Sequence, residues 1–266
     1  VFALKGGTAI NLFERNFPRL SVDIDLTYVP FDERAIALGN IEAALGRIKT
    51  KIEKSFEGVT VTKVQQGDGT EAKLHCQYQR THIKIEVNTI MRGHICPPRM
   101  MACTDKVQEQ FEAFAEIAVV SKGELYGGKI CAALDRQHPR DLFDVKHLLD
   151  DEGLTHDIKQ GMIAGLLSHP RPISEVLFPT FRDQRAIFDA QFAGMAFDPF
   201  SYDDYEATRV RLNDAVQSTL TANDKAFLLS FKAGEPDWSL IDIPDLSRMP
   251  AIRKCRRNPA LSVSGR

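Results

Sequence analysis

The sequence predicts an α+β fold, a mixed sheet with flanking helices followed by an α-helical C-terminal region. In the first part of the chain, short runs rich in β-branched residues alternate with helical patterns. Beyond Asp150 only helical periodicity remains. We therefore expect an α/β core over residues 1–120, a helical domain over 121–235 and an extended basic tail over 236–266.

The composition is that of an ordinary soluble globular chain. Of its 266 residues, 43% are hydrophobic and 26% are charged, which suffices for a substantial core. With 34 basic and 36 acidic residues the formal net charge is −2. Since no overall basic excess exists, any nucleic-acid site must be a local patch.

The cysteines and the apolar runs predict a chain of the reducing cytoplasm. Five cysteines are scattered without a Cys-x-x-Cys pair, so we expect neither a disulfide framework nor a zinc site. No run reaches the length of a membrane span and no signal peptide is visible, so no membrane partner is expected. Because Val1 already lies in an apolar strand pattern, we expect the natural chain to begin upstream.

A glycine turn opens the first helix. The apolar strand Val1–Leu4 precedes Gly6 and Gly7, which permit a tight turn and a close approach of the backbone to a ligand. Thr8 is placed to cap a helix running to Glu14. A helix N-terminus with free N–H groups favours phosphate, so this turn is a candidate phosphate site.

Two carboxylates follow on the second strand, predicted over 22–28. Asp23 and Asp25 stand at alternate positions, which places both on one face of a strand. Two like charges on one face repel each other unless a cation lies between them. Because Mg²⁺ binds one or two carboxylates together with substrate phosphates, this pair predicts a divalent-metal site.

These residues carry a family resemblance. Gly6-Gly7-Thr8 followed by Ser21-Val22-Asp23-Ile24-Asp25-Leu26 resembles the first motif of the DNA polymerase β-like nucleotidyltransferases. More narrowly, with Leu4-Lys5 before the glycines, it resembles the AbiEii/AbiGii toxin family, which includes the MenT toxins. The resemblance implies a polymerase β-like core that binds an NTP with Mg²⁺ or Mn²⁺.

The next elements are a long helix and three strands. An amphipathic helix is predicted over 31–56, and its basic cluster is interpreted as a solvated face: Arg47, Lys49, Lys51 and Lys54. Strands are predicted over 59–64, 72–78 and 82–89, with a turn at Gly67–Gly69 and a hairpin near Gln79–Arg80.

Glu86 on the last of these strands has two interpretations. In one, it is an outward residue neutralised by Lys84. In the other, which the resemblance implies, Glu86 is the third metal-binding carboxylate and takes the place of the commoner Asp. The resemblance then implies Asp23, Asp25 and Glu86 as metal ligands. Nucleotide binding is assigned to Gly6, Gly7, Thr8, Ser21, Lys84 and Lys129.

A second motif spans two predicted helices. Ser121, with Glu124, is expected to cap a helix over 122–135, and Pro139 opens the next helix. By resemblance, Lys129 and Asp144 are catalytic, with Asp141 a rival to Asp144. The alternative is that these charges fasten two helices by ion pairs. Gly127 and Gly128 cost helix stability, which a close approach of the backbone to a ligand or helix would explain.

The remaining chain offers few chemical cues. Helices are expected over 158–167, 175–178, 181–192, 205–220 and 222–231. The aromatic residues there are interpreted as core and not as a base-stacking platform: Phe178, Phe181, Phe188, Phe192 and Phe197. The basic run near the end either contacts RNA phosphates or is a solvated tail.

The sequence thus predicts a metal-dependent nucleotidyltransferase whose helical domain completes the active-site cleft. The resemblance implies the toxin of a toxin–antitoxin or abortive-infection system. It also implies an acceptor that is a tRNA 3′ end or a protein, and a cognate antitoxin. The alternatives are an aminoglycoside-type enzyme acting on a small molecule and an inactive nucleotide-binding module.

Overall fold

The computed structural model describes residues 1–65 and 71–257. The strands of this part are β1 (Phe2–Lys5), β2 (Ile24–Tyr28), β3 (Thr60–Gln65), β4 (Glu71–Tyr78), β5 (Thr81–Asn88), β6 (Arg99–Ala102) and β7 (Glu116–Val119). The helices are α1 (Gly6–Ala9), α2 (Arg34–Ser55), α3 (Asp105–Phe111), α4 (Lys122–Arg136), α5 (Pro139–Asp151), α6 (His156–Leu167), α7 (Ile173–Leu177), α8 (Arg185–Gln191), α9 (Tyr202–Thr219), α10 (Ala222–Lys232) and α11 (Pro250–Arg257). A π-helical turn (Ile10–Glu14) continues α1.

The chain forms two compact units. Unit 1 contains Val1–Asn16, Ser21–His94 and Pro98–Val120, and therefore the whole sheet. Unit 2 contains Phe17–Leu20, Ile95–Pro97 and the chain from Ser121 onward, and its described residues from 121 to 257 form helices and connecting loops without a strand.

The sheet of unit 1 is mixed. Its strand order is β3-β4-β5-β2-β1-β7-β6, with β1–β7 and β2–β5 parallel and the other neighbours antiparallel. The α+β prediction is confirmed: a mixed seven-stranded sheet with flanking helices precedes a helical region.

The two faces of the central strands differ because side chains alternate along a strand. Leu4, Leu26 and Val87 are aligned across β1, β2 and β5 and are buried. The adjacent positions, one residue along, are charged and belong to the opposite face of the sheet. Helix α2 packs on β3 and β4 and buries its apolar stripe: Ala37, Ile41, Ala44 and Leu45.

In unit 2, glycines allow α4 and α6 to touch backbone to backbone. A β-carbon on Gly127 would lie 2.2 Å from the carbonyl carbon of Gly161, and one on Gly161 would lie 2.0 Å from the carbonyl oxygen of Gly123. The helical glycine Gly127 is therefore explained by helix packing. A β-carbon on its neighbour Gly128 would meet nothing within 4 Å.

Several local predictions are wrong. Thr8 is not an N-cap, because the helix already begins at Gly6 and Lys5 precedes it without a side-chain cap. Strand β2 begins at Ile24, so Asp23 lies just before the strand. Helix α8 begins only at Arg185, because the backbone of Arg182 hydrogen-bonds to the side chains of Gln137 and Arg209. The predicted turn at Gly67–Gly69 lies outside the described residues.

The aromatic core and the tail also differ from the predictions. Phe188 and Phe192 are buried, but Phe178, Phe181 and Phe197 are exposed. Residues from 236 to 257 are not extended, since they form two 3₁₀ turns (Trp238–Leu240 and Leu246–Arg248) and α11. Apolar residues of this segment are buried, among them Leu246, Met249 and Ile252. Burial of apolar area favours this compact form over an extended tail.

Candidate active site

Four charged residues stand in one row across the central strands of unit 1. Lys5 of β1 is paired in register with Asp25 of β2, and Asp25 is paired with Glu86 of the parallel strand β5. Glu86 is in turn paired with Lys73 of β4. Residues in register share a face, so two adjacent carboxylates lie between two lysines.

The cation beside Glu86 is Lys73. The Lys73 Nζ lies 2.9 Å from the Glu86 Oε2, so the suggestion that Lys84 neutralises Glu86 is wrong. The predicted hairpin at Gln79–Arg80 already indicated that Lys73 faces Glu86, because a tight turn fixes which residues of the two strands are paired. Lys84 itself is exposed and is paired in register with His75.

A cleft lies beside the two carboxylates. It has a volume of about 250 Å³ and is lined by Lys5, Asp25, Glu86, Val87, Asn88, Thr89 and Ile90. Asn88 and Thr89, at the end of β5, were not among the predicted site residues. Asp23, Lys84 and the glycine turn are not part of this lining. The cleft therefore joins the Asp25–Glu86 pair to amide and hydroxyl groups at the end of β5.

The glycine turn touches Asp25 directly. Gly6 has a φ of +73°, a conformation that favours glycine. A β-carbon built on Gly6 would lie 2.4 Å from the Asp25 Oδ2, which no real β-carbon tolerates. Glycine is thus required at this position both by its backbone and by the carboxylate that occupies the side-chain space.

Two hydroxyls connect the turn to the segment that bears Asp23. The Thr8 hydroxyl donates to the backbone carbonyl of Asp23, and Thr8 Oγ1 lies 3.0 Å from Ser21 Oγ. Since a hydroxyl has one hydrogen, Ser21 is the donor in the second bond. Thr8 is therefore a partner of the Asp23 segment and not a helix cap.

The donor set fits a divalent cation in its chemistry. In the described residues, no group of three or more His, Cys, Asp or Glu side chains is arranged to hold a metal ion. Asp25 and Glu86 nevertheless supply two adjacent hard oxygen donors on one face. Mg²⁺ is commonly bound by one or two carboxylates, with substrate phosphates completing its ligands. The metal-ligand roles of Asp23, Asp25 and Glu86 remain a prediction.

The second predicted motif forms a buried charge cluster in unit 2. The Lys129 Nζ lies 2.9 Å from the Asp141 Oδ1 and 2.9 Å from the Asp144 Oδ2. Arg19 binds Asp144 with two hydrogen bonds of 2.8 and 2.6 Å, and Arg136 binds Asp141. The ion pairs that sequence analysis weighed for these helices are present.

This cluster holds the Asp141 carboxylate in the charged form. Burial would raise the pKa of Asp141, but Lys129 and Arg136 outweigh it and hold that pKa well below its usual range. Arg19 was missed by sequence analysis, because nothing local marks a residue 125 positions from its partner. Lys129 is 7% exposed, and its predicted nucleotide-binding and catalytic roles, like that of Asp144, remain predictions.

Comparison with solved structures finds the same fold in a toxin. MenT4, a nucleotidyltransferase toxin from Mycobacterium tuberculosis H37Rv, is similar to 98% of this chain, and the match covers 83% of MenT4. The TM-score is 0.60 and the sequence identity is 17%, which shows a shared fold. A comparison with curated proteins gave no match.

The fold, together with the family comparison, defines a nucleotidyltransferase. The family model described as "Nucleotidyl transferase AbiEii toxin, Type IV TA system" matches residues 1–252. The chain therefore belongs to the AbiEii family of toxins of type IV toxin–antitoxin systems, as the motif resemblance suggested. Among the described residues, no helix is long and apolar enough to cross a membrane.

Proposed function

We propose that this toxin transfers a nucleoside monophosphate from an NTP to the 3′ end of a tRNA in a divalent-metal-dependent reaction. One observation carries the assignment of the site: Asp25 and Glu86 stand side by side on parallel strands, with Gly6 against Asp25. Adjacent carboxylates beside a glycine turn suit a cation and a triphosphate together.

Asp25 and Glu86, with Asp23 just before β2, would hold the cation. A bound divalent ion would neutralise charge on the phosphates and lower the pKa of a coordinated hydroxyl. The carboxylates of Asp25 and Glu86 carry like charges, and a cation bound between them would relieve their repulsion.

The other residues position the NTP. Backbone N–H groups of Gly6 and Gly7 at the start of α1 would bind phosphate oxygens, and the Ser21 hydroxyl lies beside that turn through its bond to Thr8. The hydroxyl of the acceptor would attack the α-phosphorus. A new O–P bond forms, the bond to the bridging oxygen breaks, and pyrophosphate leaves with that electron pair.

Membership of a toxin–antitoxin family implies a cognate antitoxin. We place the toxin in the cytoplasm, where NTPs and tRNA are available. The antitoxin would restrain the toxin until transfer is required. Inspection of the adjacent reading frame for a small DNA-binding protein is the simplest check on this partner.

The test is transfer of label from each of four α-labelled NTPs to purified tRNA, to total protein and to an aminoglycoside. With Mg²⁺ or Mn²⁺, we expect label on tRNA from the wild type, no label after chelation, and none with Asp25→Asn. Label on protein or on the aminoglycoside instead would show that this molecule, and not tRNA, is the acceptor. Label on none of the three would identify a nucleotide-binding module without turnover.

A further inference from the structure

A column of stacked rings and guanidinium groups lies within unit 2. The Arg209 guanidinium lies 4.3 Å from the ring centre of Phe181 and 5.4 Å from that of Tyr205. Tyr205 stacks on Tyr202 with ring centres 5.2 Å apart and an interplanar angle of 20°. The Arg185 guanidinium then covers the Tyr202 ring at 3.9 Å. We call these five residues the stacking column.

The middle of the stacking column is buried and held by hydrogen bonds. Arg209 is 7% exposed and donates to the Gln137 side chain at 3.0 Å and to the Arg182 carbonyl at 2.6 Å. The Tyr205 hydroxyl donates to the Gln137 carbonyl at 2.8 Å. These bonds fix the planes of the column before any ligand binds.

Both ends of the stacking column reach solvent. Phe181 is 42% exposed at one end, and Arg185 is exposed at the other. Nearby in the chain, Phe178 is 67% exposed and Arg182 is exposed. The exposed ring of Phe181 therefore offers a flat apolar face to a ligand that has flat apolar faces of its own.

The charge at these ends favours an anionic ligand. In the part of the chain that the structure describes, the guanidinium groups of Arg182 and Arg185 form no ion pair. Asp183 is the acidic residue between them, and it accepts hydrogen bonds from the Tyr202 hydroxyl and from the backbone N–H of Arg185. Glu206 binds Arg209. The Arg182 guanidinium is therefore available for phosphates, and the Arg185 guanidinium, which covers Tyr202 and attracts Asp183, adds positive charge.

We propose that the exposed ends of the stacking column bind the single-stranded end of the RNA acceptor, with bases stacked on Phe181 and Arg185. The proposal deepens the proposed function, on which its choice of acceptor rests. Single-stranded RNA combines flat bases with phosphates, and proteins bind it by stacking bases on aromatic rings and arginine planes. A peptide acceptor has no row of flat bases to stack on these side chains, so the stacking column favours RNA over a peptide.

The experiment measures binding of a labelled single-stranded RNA of about eight nucleotides, a length within the usual site size. It uses the full chain without NTP, so binding is separated from transfer. The variants are Phe181→Ala, Phe181→Trp, Arg185→Ala and Arg185→Lys. Phe197→Ala is the matched control, because Phe197 is an exposed phenylalanine of the same unit outside the column.

We expect Phe181→Ala to weaken binding by about 5- to 150-fold, the effect of losing one stacked base. Phe181→Trp should retain binding, which separates loss of stacking from loss of folding. Arg185→Lys should weaken binding although it keeps the positive charge, because the lysine ammonium group lacks the planar guanidinium on which a base can stack. Phe197→Ala should bind as the wild type does.

Three results would overturn the proposal: no binding by the wild type, equal losses in Phe181→Ala and Phe197→Ala, or full binding by Arg185→Lys where Arg185→Ala is weak. Asp25→Asn should bind RNA normally. RNA binding that depends on Phe181, without any transfer by the wild type, would reject the proposed function and support the stacking column.

Discussion

The carboxylate of Asp25 occupies the space that a side chain on Gly6 would need, with its Oδ2 2.4 Å from the β-carbon position. Gly6 directly follows β1 as the first residue of α1, and Asp25 is the second residue of the neighbouring strand β2. The glycine turn and the acidic motif are thus a single structural unit, and a change in either must affect both.

Gly6→Ala should abolish transfer. Its φ of +73° would strain alanine by about 1–2 kcal/mol, and the new methyl group would displace Asp25. A displacement near 1 Å can cost about a hundred-fold in rate. Gly39→Ala in α2 is the control, since a β-carbon there meets nothing, and it should retain activity. The transfer rates and melting temperatures of both variants test this prediction. A fully active Gly6→Ala variant would show that the glycine turn is not required for transfer.

Glu86→Gln should lower metal-dependent transfer by at least about a hundred-fold without loss of stability. Removing one of two adjacent like charges relieves repulsion, so the melting temperature should stay the same or rise. Glu53→Gln, which changes an exposed glutamate paired with Lys49, is the control and should be fully active. A marked fall in the melting temperature of Glu86→Gln would indicate that Glu86 is structural.

Asp141→Asn should cost about 3–5 kcal/mol, because it leaves the buried Lys129 with one carboxylate fewer. Asp150→Asn on the same helix, α5, changes a half-exposed carboxylate and should cost about 1 kcal/mol or less. Urea unfolding of both variants measures the difference. Equal costs would mean that burial does not strengthen these ion pairs.

The same aspartate predicts an acid dependence. The folded-state pKa of Asp141 is lowered, so its contribution is complete above the unfolded-state pKa of about 4 and is lost as the pH falls below it. The free energy of unfolding should therefore decrease below about pH 4, and less steeply in Asp141→Asn. Identical slopes in wild type and variant would place the acid sensitivity elsewhere.

Lys129→Met tests the role that the family resemblance implies. Leaving Asp141 and Asp144 without this cation should cost about 3–5 kcal/mol. Transfer should also be absent at temperatures where the variant is folded, as judged by circular dichroism. Lys146→Met, which removes an exposed ion pair on α5, controls for the loss of a lysine. If Lys129→Met is folded and active, Lys129 has only a structural role as the cation between Asp141 and Asp144.

Two adjacent glycines of α4 should respond in opposite directions. Gly127→Ala places a methyl group against the backbone of Gly161 and should destabilise the chain by more than about 2 kcal/mol. Gly128→Ala meets nothing and should stabilise the helix by up to about 1 kcal/mol. Chemical unfolding of the two variants measures the change in the free energy of unfolding, which should be negative for Gly127→Ala and positive for Gly128→Ala. A destabilised Gly128→Ala would show that this glycine has a partner besides the helix itself.

Local patterns predicted much of unit 1. The period of two along the strands and the turn at Gln79–Arg80 yielded the hairpin of β4 and β5, and the spacing of apolar residues yielded α2. Local patterns failed where contacts between residues far apart in the chain determine whether a side chain is buried. Phe178, Phe181 and Phe197 are apolar residues of the kind that fill cores, yet their side chains are exposed, although Phe181 contacts Arg209 and Phe197 contacts Phe17.

The sequence by itself determined the family and the acidic motif, because a glycine turn and alternating aspartates are short-range patterns that a reader can recognise. Only the tertiary structure decided which strands are neighbours beyond the β4–β5 hairpin. It therefore decided that Asp25 stands beside Glu86 and that Arg19 binds Asp144. Such partners meet through burial of apolar surface across the whole chain, and no local pattern records that.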